Sequence, residues 1–355
     1  MSEGEPNVWC LLGRKAGDNT QVRVLAEALG AGFTEKHILA RSWELLPHLA
    51  LRVTLAGIDR AASSELAPPW PDLVITAGRR NEPVARWIQR QSGGRTRLVH
   101  IGRPWAPLEA WDLIVTTPQY FLPDLPNIHH NRLPLHHLGV ATLEEAGRQW
   151  LPEFEALPRP WLGVLVGGNS GKFVFTPEKG RRLGELASRL AEEAGGSLLV
   201  VGSPRSPAPV MDAIASALDA PGYCWRWGAP GDNPYRGVLA LADGFAVTGE
   251  SMSMLAESSA TGKPLFIFDL GDGTVPAWRL PHSYRYKPLS HRLAMVLGPH
   301  RMRRDVGRIQ SALVDSGQAQ WLAPASRYTE AVTDQPGPGE EELQSTVVRV
   351  RQLLK

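Results

Sequence analysis

The stretch that most constrains the fold of this chain is residues 242–270, ADGFAVTGESMSMLAESSATGKPLFIFDL. Residues 245–247 and 264–268 are short apolar runs with strand character, and residues 252–261 have helical spacing that Gly262 ends. This order of strand, turn, helix and strand predicts one unit of a parallel sheet. In such sheets ligands bind where loops leave the carboxyl ends of the strands.

A polar turn precedes the helix of this stretch. Ser251 and Ser253 lie at the predicted helix N-terminus, whose free N–H groups and dipole favour an anion. Glu257 lies on the same helix, on the turn after them. The two serines either bind a phosphate or only cap the helix, and Glu257 either contacts a ligand or is solvated. The segment alone leaves both interpretations open.

The length of the chain, 355 residues, is too great for one compact core and predicts two domains. Residues 151–160, LPEFEALPRP, contain three prolines and are typical of a semi-rigid connector. We therefore expect an N-terminal domain over residues 1–155 and a C-terminal domain over residues 160–325. Residues 326–355 are expected to form a flexible spacer and a helix that crosses back onto the N-terminal domain.

Composition narrows the class of protein. The hydrophobic fraction is 43%, the charged fraction 21% and the formal charge +2, so charge alone implies no nucleic-acid partner. Cys10 and Cys224 are expected to be buried thiols of a reducing compartment. The acidic start MSEGEPNVWC resembles no secretory signal, and no apolar run reaches the roughly 20 residues of a membrane span. These features predict a cytoplasmic protein, at most attached to a membrane surface.

Polar side chains also follow the first strand, predicted at residues 7–12. The turn GRKAGDNTQ leads into a helix expected at residues 22–29 and carries Arg14, Lys15, Asp18, Asn19 and Gln21. Asp18 or Asn19 could be no more than the helix N-cap, but a solvated turn would not need so many polar groups. Arg79 and Arg80 follow another predicted strand, where they suit either solvent or an anionic acceptor group.

Two other N-terminal segments allow alternatives. Residues 43–58 are apolar enough for a core helix pair, which we favour over an exposed patch that touches a membrane or a lipid-linked acceptor. Residues 127–138 contain His129, His130, His136 and His137. These histidines have no recognised metal-ligand spacing. We expect them to line the cleft between the domains or to pair in a loop, and a metal site is the minority interpretation.

In the C-terminal half the strand at residues 161–166 is followed by GGNSGK. This loop lacks the complete pattern of a nucleoside-triphosphate loop, so ATP or GTP hydrolysis is not supported. A glycine-rich turn still lets backbone N–H groups approach a phosphate closely. The strand at residues 223–227 ends in WRWG, where the flat rings of Trp225 and Trp227 either stack on a ligand or belong to the core. The predicted loop at residues 271–278 and the end of the strand before it add Asp272 and Asp269 as polar candidates.

Five motifs in this order resemble a known family. They are GDNTQ at 17–21, ITAGRR at 75–80, VGGNSG at 166–171, DNPY at 232–235 and TGESMSMLAE at 248–257. Together they resemble the mitochondrial-fission (elongated-mitochondria) family, whose bacterial members are regarded as candidate glycosyltransferases. The resemblance spans roughly residues 8–320. It implies an α/β fold of GT-B architecture, in which two doubly wound Rossmann-like domains face a cleft.

The resemblance also implies roles for the candidate residues. The N-terminal domain would hold the acceptor, with Asp18 as general base and Arg14, Lys15, Asn19, Gln21, Arg79 and Arg80 as acceptor ligands. The C-terminal domain would hold the donor through its glycine-bearing loops, the start of the helix at 252 and the WRWG and DNPY segments. The donor residues are Gly167, Gly168, Asn169, Ser170, Arg226, Trp227, Gly228, Asn233, Tyr235, Gly249, Glu250, Ser251, Met252, Ser253 and Glu257.

The sequence therefore predicts an inverting glycosyltransferase that needs no metal and no cofactor. It would move a sugar from a nucleotide sugar to a hydroxyl of a cell-envelope glycan or lipid-linked acceptor, in the cytoplasm, at most attached to the inner membrane as a peripheral protein. Two alternatives remain. One is a sugar-nucleotide epimerase on the same fold. The other is a non-catalytic adaptor of the kind attributed to the family's plant members in mitochondrial division.

Overall fold

The computed structural model describes residues 5–136, 138–170, 173–271, 297, 304–328 and 339–355. These residues form two compact units. The first unit contains residues 5–136 and 339–355, and the second contains the described residues from 138 to 328. None of the described helices is both long enough and apolar enough to cross a bilayer.

The first unit is a six-stranded parallel sheet with the strand order β2-β1-β3-β4-β5-β6. Apolar side chains that alternate along β1 pack against α1 and α10 on one face of the sheet and against α3 on the other. The elements are β1 (Val8–Leu12), α1 (Ala16–Leu29), β2 (Phe33–His37), α2 (Leu45–Leu51), β3 (Leu73–Ala77), α3 (Glu82–Gln91), β4 (Arg97–Ile101), β5 (Leu113–Thr116), β6 (Ile128–His130) and α10 (Gly339–Leu353).

The second unit is also a six-stranded parallel sheet, with the order β12-β11-β10-β7-β8-β9. Its elements are α4 (Val140–Phe154), β7 (Trp161–Val166), α5 (Pro177–Glu193), β8 (Ser197–Gly202), α6 (Ala208–Ala215), β9 (Gly222–Trp225), α7 (Tyr235–Leu241), β10 (Gly244–Thr248), α8 (Met252–Ala260), β11 (Leu265–Phe268), α9 (Gly307–Asp315) and β12 (Gln320–Trp321). Counted from β7, this is the dinucleotide-fold order 3-2-1-4-5-6. Two doubly wound, Rossmann-like sheets confirm the predicted α/β class.

The strand order of each sheet indicates where a ligand could bind. The order reverses between β1 and β3 in the first unit and between β7 and β10 in the second. In open parallel sheets the loops that leave the carboxyl ends at such a reversal diverge to opposite faces and leave a crevice for a ligand. The loops that follow these four strands begin at Gly13, Gly78, Gly167 and Gly249, and they contain half of the predicted site residues.

Several predicted boundaries differ from the structure. Helix α1 begins at Ala16, not at residue 22, because its first two turns are solvent-facing and carry no apolar signal. The edge strands β2 and β6 are not predicted, since β2 is only partly buried and β6 has three residues. Cys10 is buried, and burial raises the pKa of its thiol to about 12. Cys224 is exposed, contrary to prediction, because β9 is an edge strand.

The change of unit lies before residue 138, earlier than the predicted connector at 151–160. Helix α4 belongs to the second unit, and its Trp150 packs against Gly237 of α7. Phe154 is fully buried and contacts the ring of Trp161 edge-on at 6.1 Å between centroids. The proline-rich stretch is therefore anchored in the core of the second unit. Residues 329–338, most of the predicted spacer, lie outside the described residues.

The first unit also buries a carboxyl group and an imidazole side by side. Glu82 and His100 are completely buried, and His100 Nε2 lies 4.0 Å from Glu82 Oε1. The Glu82 carboxylate accepts the backbone N–H groups of Trp105 and Ala106 at 2.8 to 3.0 Å. Burial raises the pKa of Glu82 to about 7 and lowers the pKa of His100 to about 3.

These two shifts make opposite contributions to stability. Between pH 3 and 6.5 the unfolded state binds a proton that folded His100 does not, so the free energy of unfolding rises with pH. Between pH 4.5 and 7 folded Glu82 binds a proton that the unfolded state does not, so this contribution to the free energy of unfolding falls with pH. The two contributions cancel between pH 4.5 and 6.5 in the wild type.

Replacing His100→Phe should expose the Glu82 contribution. The free energy of unfolding of the wild type minus that of the variant should rise by about 1.4 kcal/mol per pH unit between pH 3 and 6.5. Urea unfolding at a series of pH values measures this difference. The exposed Gln91→Ala, which removes no titratable group, is the control and should give a difference that does not change with pH. Parallel curves for wild type and His100→Phe would contradict the assignment.

Candidate functional site

The loops after β7 and β10 of the second unit are joined by direct hydrogen bonds. The backbone N–H of Gly167 donates to Thr248 Oγ1 at 2.9 Å, and that of Gly168 donates to Glu250 Oε1 at 2.6 Å. A Cβ atom at Gly168 would lie 1.9 Å from the backbone carbonyl oxygen of Arg205. The close approach of three loops therefore requires glycine at this position.

Glu250 is the buried centre of this arrangement. Its side chain is completely buried, and burial raises the pKa of its carboxyl group. Oε1 accepts the Gly168 N–H, while Oε2 has no hydrogen-bond partner among the described residues. A buried carboxylate oxygen without a donor is costly, so the position favours a proton on Glu250 or a donor from a ligand.

Arg205, which the sequence analysis does not single out, connects the same loops from the loop after β8. Its guanidinium donates to Ser251 Oγ at 3.3 Å and to the Asn169 carbonyl oxygen at 3.4 Å, and it lies 3.4 Å from Glu250 Oε1. Its side chain is 41% exposed. The second unit thus presents an accessible guanidinium beside a helix start, a pairing that suits a phosphate group.

The start of α8 contributes backbone donors to this edge. Ser251 is the N-cap residue, but its side chain makes no capping hydrogen bond and meets Arg205 instead. The next residues, Met252 and Ser253, open α8. The first N–H groups of a helix have no acceptor within that helix and can donate to a ligand. Gly249 is also held in place by α9, since Gln310 Nε2 donates to the Gly249 carbonyl oxygen at 2.6 Å.

Some predicted donor residues are bonded within their own loops. Asn169 Oδ1 accepts the Phe175 N–H at 2.8 Å, and Asn233 Oδ1 accepts the Tyr235 N–H at 3.0 Å. The backbone of Ser170 pairs with that of Phe173. These groups shape the loops, so any ligand contact from Asn169 or Ser170 must come from their remaining atoms.

Glu257 and Tyr235 are brought together by the fold. The Tyr235 hydroxyl donates to Glu257 Oε2, and burial raises the pKa values of both groups. Glu257 lies on α8, and Tyr235 opens α7. Two residues predicted from separate motifs therefore form one polar pair.

The two tryptophans of the WRWG segment have different environments. Trp225 is buried, whereas the side chain of Trp227 is exposed and meets Trp225 edge-on at 6.0 Å. The strand ends at Trp225, and Gly228 has a positive φ of 85° in the following turn. Arg226 pairs with Asp212 on the surface. Trp225 therefore belongs to the core, and of the two residues Trp227 presents an exposed aromatic face.

In the first unit, Asp18 and Gln21 line a small cavity of about 20 Å³ at the carboxyl edge of the sheet. Its other lining residues are mostly uncharged and come from the ends of β4 and β5 and the segments that follow: Ile101, Gly102, Val115, Thr116, Thr117, Gln119, Tyr120, Asn131, Leu133 and Leu135. Lys15 Nζ lies 3.6 Å from Asp18 Oδ2, and Arg14 is exposed in the same loop. The predicted base thus faces a polar, largely neutral surface.

Three residues predicted to bind the sugar acceptor form hydrogen bonds within the protein instead. The side-chain amide of Asn19 exchanges two hydrogen bonds with the backbone of Gly13, which closes the loop after β1. Arg79 donates to both carboxylate oxygens of buried Glu44 at 2.6 and 2.9 Å, and Arg80 donates to the same group at 3.2 Å. The arginine pair therefore neutralises a buried carboxylate, in contrast to the expected anionic acceptor.

The histidine-rich segment forms no metal-binding cluster in the described residues. Across the described ranges, no three side chains of His, Cys, Asp or Glu lie close enough to hold one ion. His129 and His130 belong to β6, and His136 is buried against Gly339 at the start of α10. His137 and Asp272 lie outside the described residues.

Comparisons with known proteins agree with the five motifs. The sequence model of the family described as Mitochondrial fission ELM1 matches residues 16–285. The mitochondrial fission protein ELM1 of Arabidopsis thaliana is 28% identical over 239 residues, 61% of this chain and 56% of that protein. An uncharacterized protein of Rickettsia prowazekii is 24% identical over 299 residues, 74% of this chain and 83% of that protein.

Among solved structures, a glycosyltransferase from Rickettsia africae covers 99% of both chains at 11% identity, with a TM-score of 0.48. The present chain spans little more than half the length of its Arabidopsis relative. The family match extends from the start of α1 in the first unit past β11 in the second, so most of both sheets is included. By this match the chain belongs to the mitochondrial fission ELM1 family.

Proposed function

We propose that this protein is a GT-B glycosyltransferase that moves a sugar from a nucleotide-sugar donor to a hydroxyl of a cell-envelope glycan or lipid-linked acceptor. One observation carries the proposal. At the strand-order reversal of the second unit, the loops after β7, β8 and β10 meet around Gly168, Arg205 and Ser251. A guanidinium, a glycine-bearing loop and a helix start in one place are the groups that bind a diphosphate.

The donor would lie along this edge. Its diphosphate would contact the Gly168 loop, Arg205 and the first N–H groups of α8. The ribose hydroxyls would bind the Glu257 carboxylate, which already accepts a hydroxyl hydrogen bond from Tyr235. The base would stack on the exposed face of Trp227. Glu250 would hold the loops after β7 and β10 together through the hydrogen bond that it accepts from the Gly168 N–H.

The reaction would be a single displacement. Asp18 would take the proton of the acceptor hydroxyl as its oxygen bonds to the anomeric carbon. The bond from that carbon to the diphosphate oxygen would break, and its electron pair would leave with the diphosphate. Arg205 and the α8 N–H groups would stabilise the departing charge, the task that a divalent ion performs in other sugar transferases. Attack opposite the leaving group inverts the anomeric configuration.

A thermal-shift screen of uridine, cytidine, guanosine and adenosine diphosphates and their sugars tests the donor. A ligand that binds only the folded state at about a hundred times its Kd adds about 2.7 kcal/mol of stability. Binding by none of them would favour the non-catalytic adaptor. Conversion of a nucleotide sugar in the absence of any acceptor would favour the epimerase.

Glu257→Ala should weaken binding of the best nucleotide by about 1 to 3 kcal/mol, because a hydrogen bond to a charged group is lost. Isothermal titration calorimetry measures this change. Glu257→Gln, which keeps an acceptor for Tyr235, separates ligand contact from folding and should also bind more weakly. Exposed Glu185→Ala on α5 is the control and should bind like the wild type. Wild-type affinity in both Glu257 variants would remove this residue from the site.

A further inference from the structure

The segment around α2 exposes a row of large apolar side chains, contrary to the predicted core packing. Their exposed fractions are 47% for Trp43, 38% for Leu45, 69% for Leu46, 56% for Leu49 and 60% for Leu51. We call these five residues the α2 face. Scattered exposed leucines are ordinary, but five exposed large apolar residues within nine positions of one short segment are typical of a surface that binds a partner or a lipid.

The buried side of α2 explains why the leucines point outward. Glu44, Pro47 and His48 are the buried residues of this segment. Glu44 is fixed by Arg79 and Arg80, and the His48 ring lies 6.4 Å from the ring of Trp105. A polar, ion-paired side thus faces the protein and the apolar side faces away, the reverse of an ordinary surface helix.

Two exposed arginines adjoin the α2 face at its two ends in the sequence. Arg41 lies over the Trp43 ring at 5.5 Å, and Arg52 is the exposed C-cap of α2. Burial lowers the pKa of Arg86 on α3. The buried carboxylate of Glu82 raises it, and the nearby cations Arg90 and Arg52 lower it further. The carboxylate of Glu44 beneath the face is already paired with two other arginines, so it does not offset this positive charge.

A groove lies between α3 and the segment that follows α2. It has a volume of about 470 Å³ and is lined by Val53, Thr54, Leu55, Ala56, Arg60, Trp87, Arg90 and Gln91. The charged residues of this lining are two arginines, with no carboxylate among them. Two guanidiniums beside a tryptophan suit the phosphate of a lipid headgroup at the level where indole rings prefer to lie.

We propose that the α2 face seats this protein on the surface of an anionic phospholipid bilayer. The leucines and Trp43 enter the boundary between headgroups and acyl chains, and the arginines bind the phosphates. A second copy of this chain is disfavoured as the partner of the α2 face, because two such faces would bring the same positively charged arginines together. The inference does not depend on transferase activity, since binding is measured without donor or acceptor.

Vesicle co-sedimentation of the full chain tests the proposal. The wild type should sediment with phosphatidylcholine vesicles that contain phosphatidylglycerol, and weakly with phosphatidylcholine alone. Leu46→Asp combined with Leu49→Asp should lower the partition coefficient by at least roughly tenfold. Arg52→Gln should lower it about fivefold at low salt, the usual effect of one arginine near an anionic surface.

Val348→Asp on α10 is the matched control, because this exposed apolar residue lies outside the α2 face. It should sediment like the wild type. Failure of the wild type to bind, or equal binding to both vesicle types, would overturn the proposal. So would a concentration-dependent dimer that the double aspartate variant abolishes, since the face would then belong to a second copy. Matching melting temperatures for all variants would show that the loss is not unfolding.

Discussion

Gly168→Ala is expected to abolish nucleotide binding and to lower the free energy of unfolding by about 3 kcal/mol. The added Cβ would lie 1.9 Å from the carbonyl oxygen of Arg205 and 2.3 Å from its carbonyl carbon. Both are backbone atoms, so no side-chain rotation relieves the overlap. The loop after β8 must move, and Arg205 would then leave Ser251 and Asn169. Urea unfolding followed by tryptophan fluorescence measures the stability change.

Gly147→Ala is the matched control in the same unit. Gly147 lies inside helix α4, and its Cβ would lie 3.6 Å from Ala240 Cβ, an ordinary van der Waals contact. Replacing glycine within a helix usually stabilises it by about 0.5 to 1 kcal/mol. A Gly168→Ala variant that unfolds at the wild-type midpoint and keeps its nucleotide affinity would show that the three loops need not meet to bind the donor.

The buried strands and the loops at their carboxyl ends could be predicted from the sequence. Val8–Leu12, Trp161–Val166 and Gly244–Thr248 are continuous buried runs, as in sheets covered on both faces. The order of the strands could not be predicted, because it depends on which strands pair across the sheet. That order is what places the loops after β7 and β10 side by side.

Arg205 and Glu44 show why part of the candidate site could not be predicted. Arg205 meets Ser251, 46 positions later, and Arg79 meets Glu44, 35 positions earlier. In the sequence, Arg205 belongs to a proline-rich loop and Glu44 to an apolar segment, with nothing local to indicate a partner. An arginine that follows a buried strand in a parallel sheet was the available signal for Arg205. For Glu44 no such signal exists.

For the α2 face the sequence predicts burial, and the structure shows exposure. Its leucines have the composition of a core helix, and hydrophobic content alone does not distinguish burial from a surface that binds lipid. The distinction depends on Glu44, whose carboxylate is drawn inward by Arg79 and Arg80. Pairing a buried charge therefore fixes which side of α2 faces the protein, and the leucines are left on the other side.

The second large effect is expected for Asp18→Asn. If Asp18 is the general base, loss of its carboxylate should lower turnover by about a hundredfold to ten-thousandfold, the usual contribution of a positioned base. Asparagine has nearly the same shape. The variant keeps the cavity lining that Asp18 shares with Gln21 and loses only the exposed ion pair with Lys15. The affinity for the nucleotide should stay at its wild-type value, because the ion-pair partner of Asp18 is Lys15 and not a predicted donor residue.

This separation of turnover from affinity is what distinguishes a base from a structural residue. Turnover is followed as release of the nucleoside diphosphate from the nucleotide sugar that gives the largest thermal shift, with a bacterial lipid extract as the acceptor source. Exposed Asp124→Asn is the control and should turn over like the wild type. Undiminished turnover in Asp18→Asn would transfer the role of base to another group. Lowered nucleotide affinity together with lowered turnover would mean that Asp18 acts on the loops and not on the acceptor hydroxyl, since only a base affects the proton transfer alone.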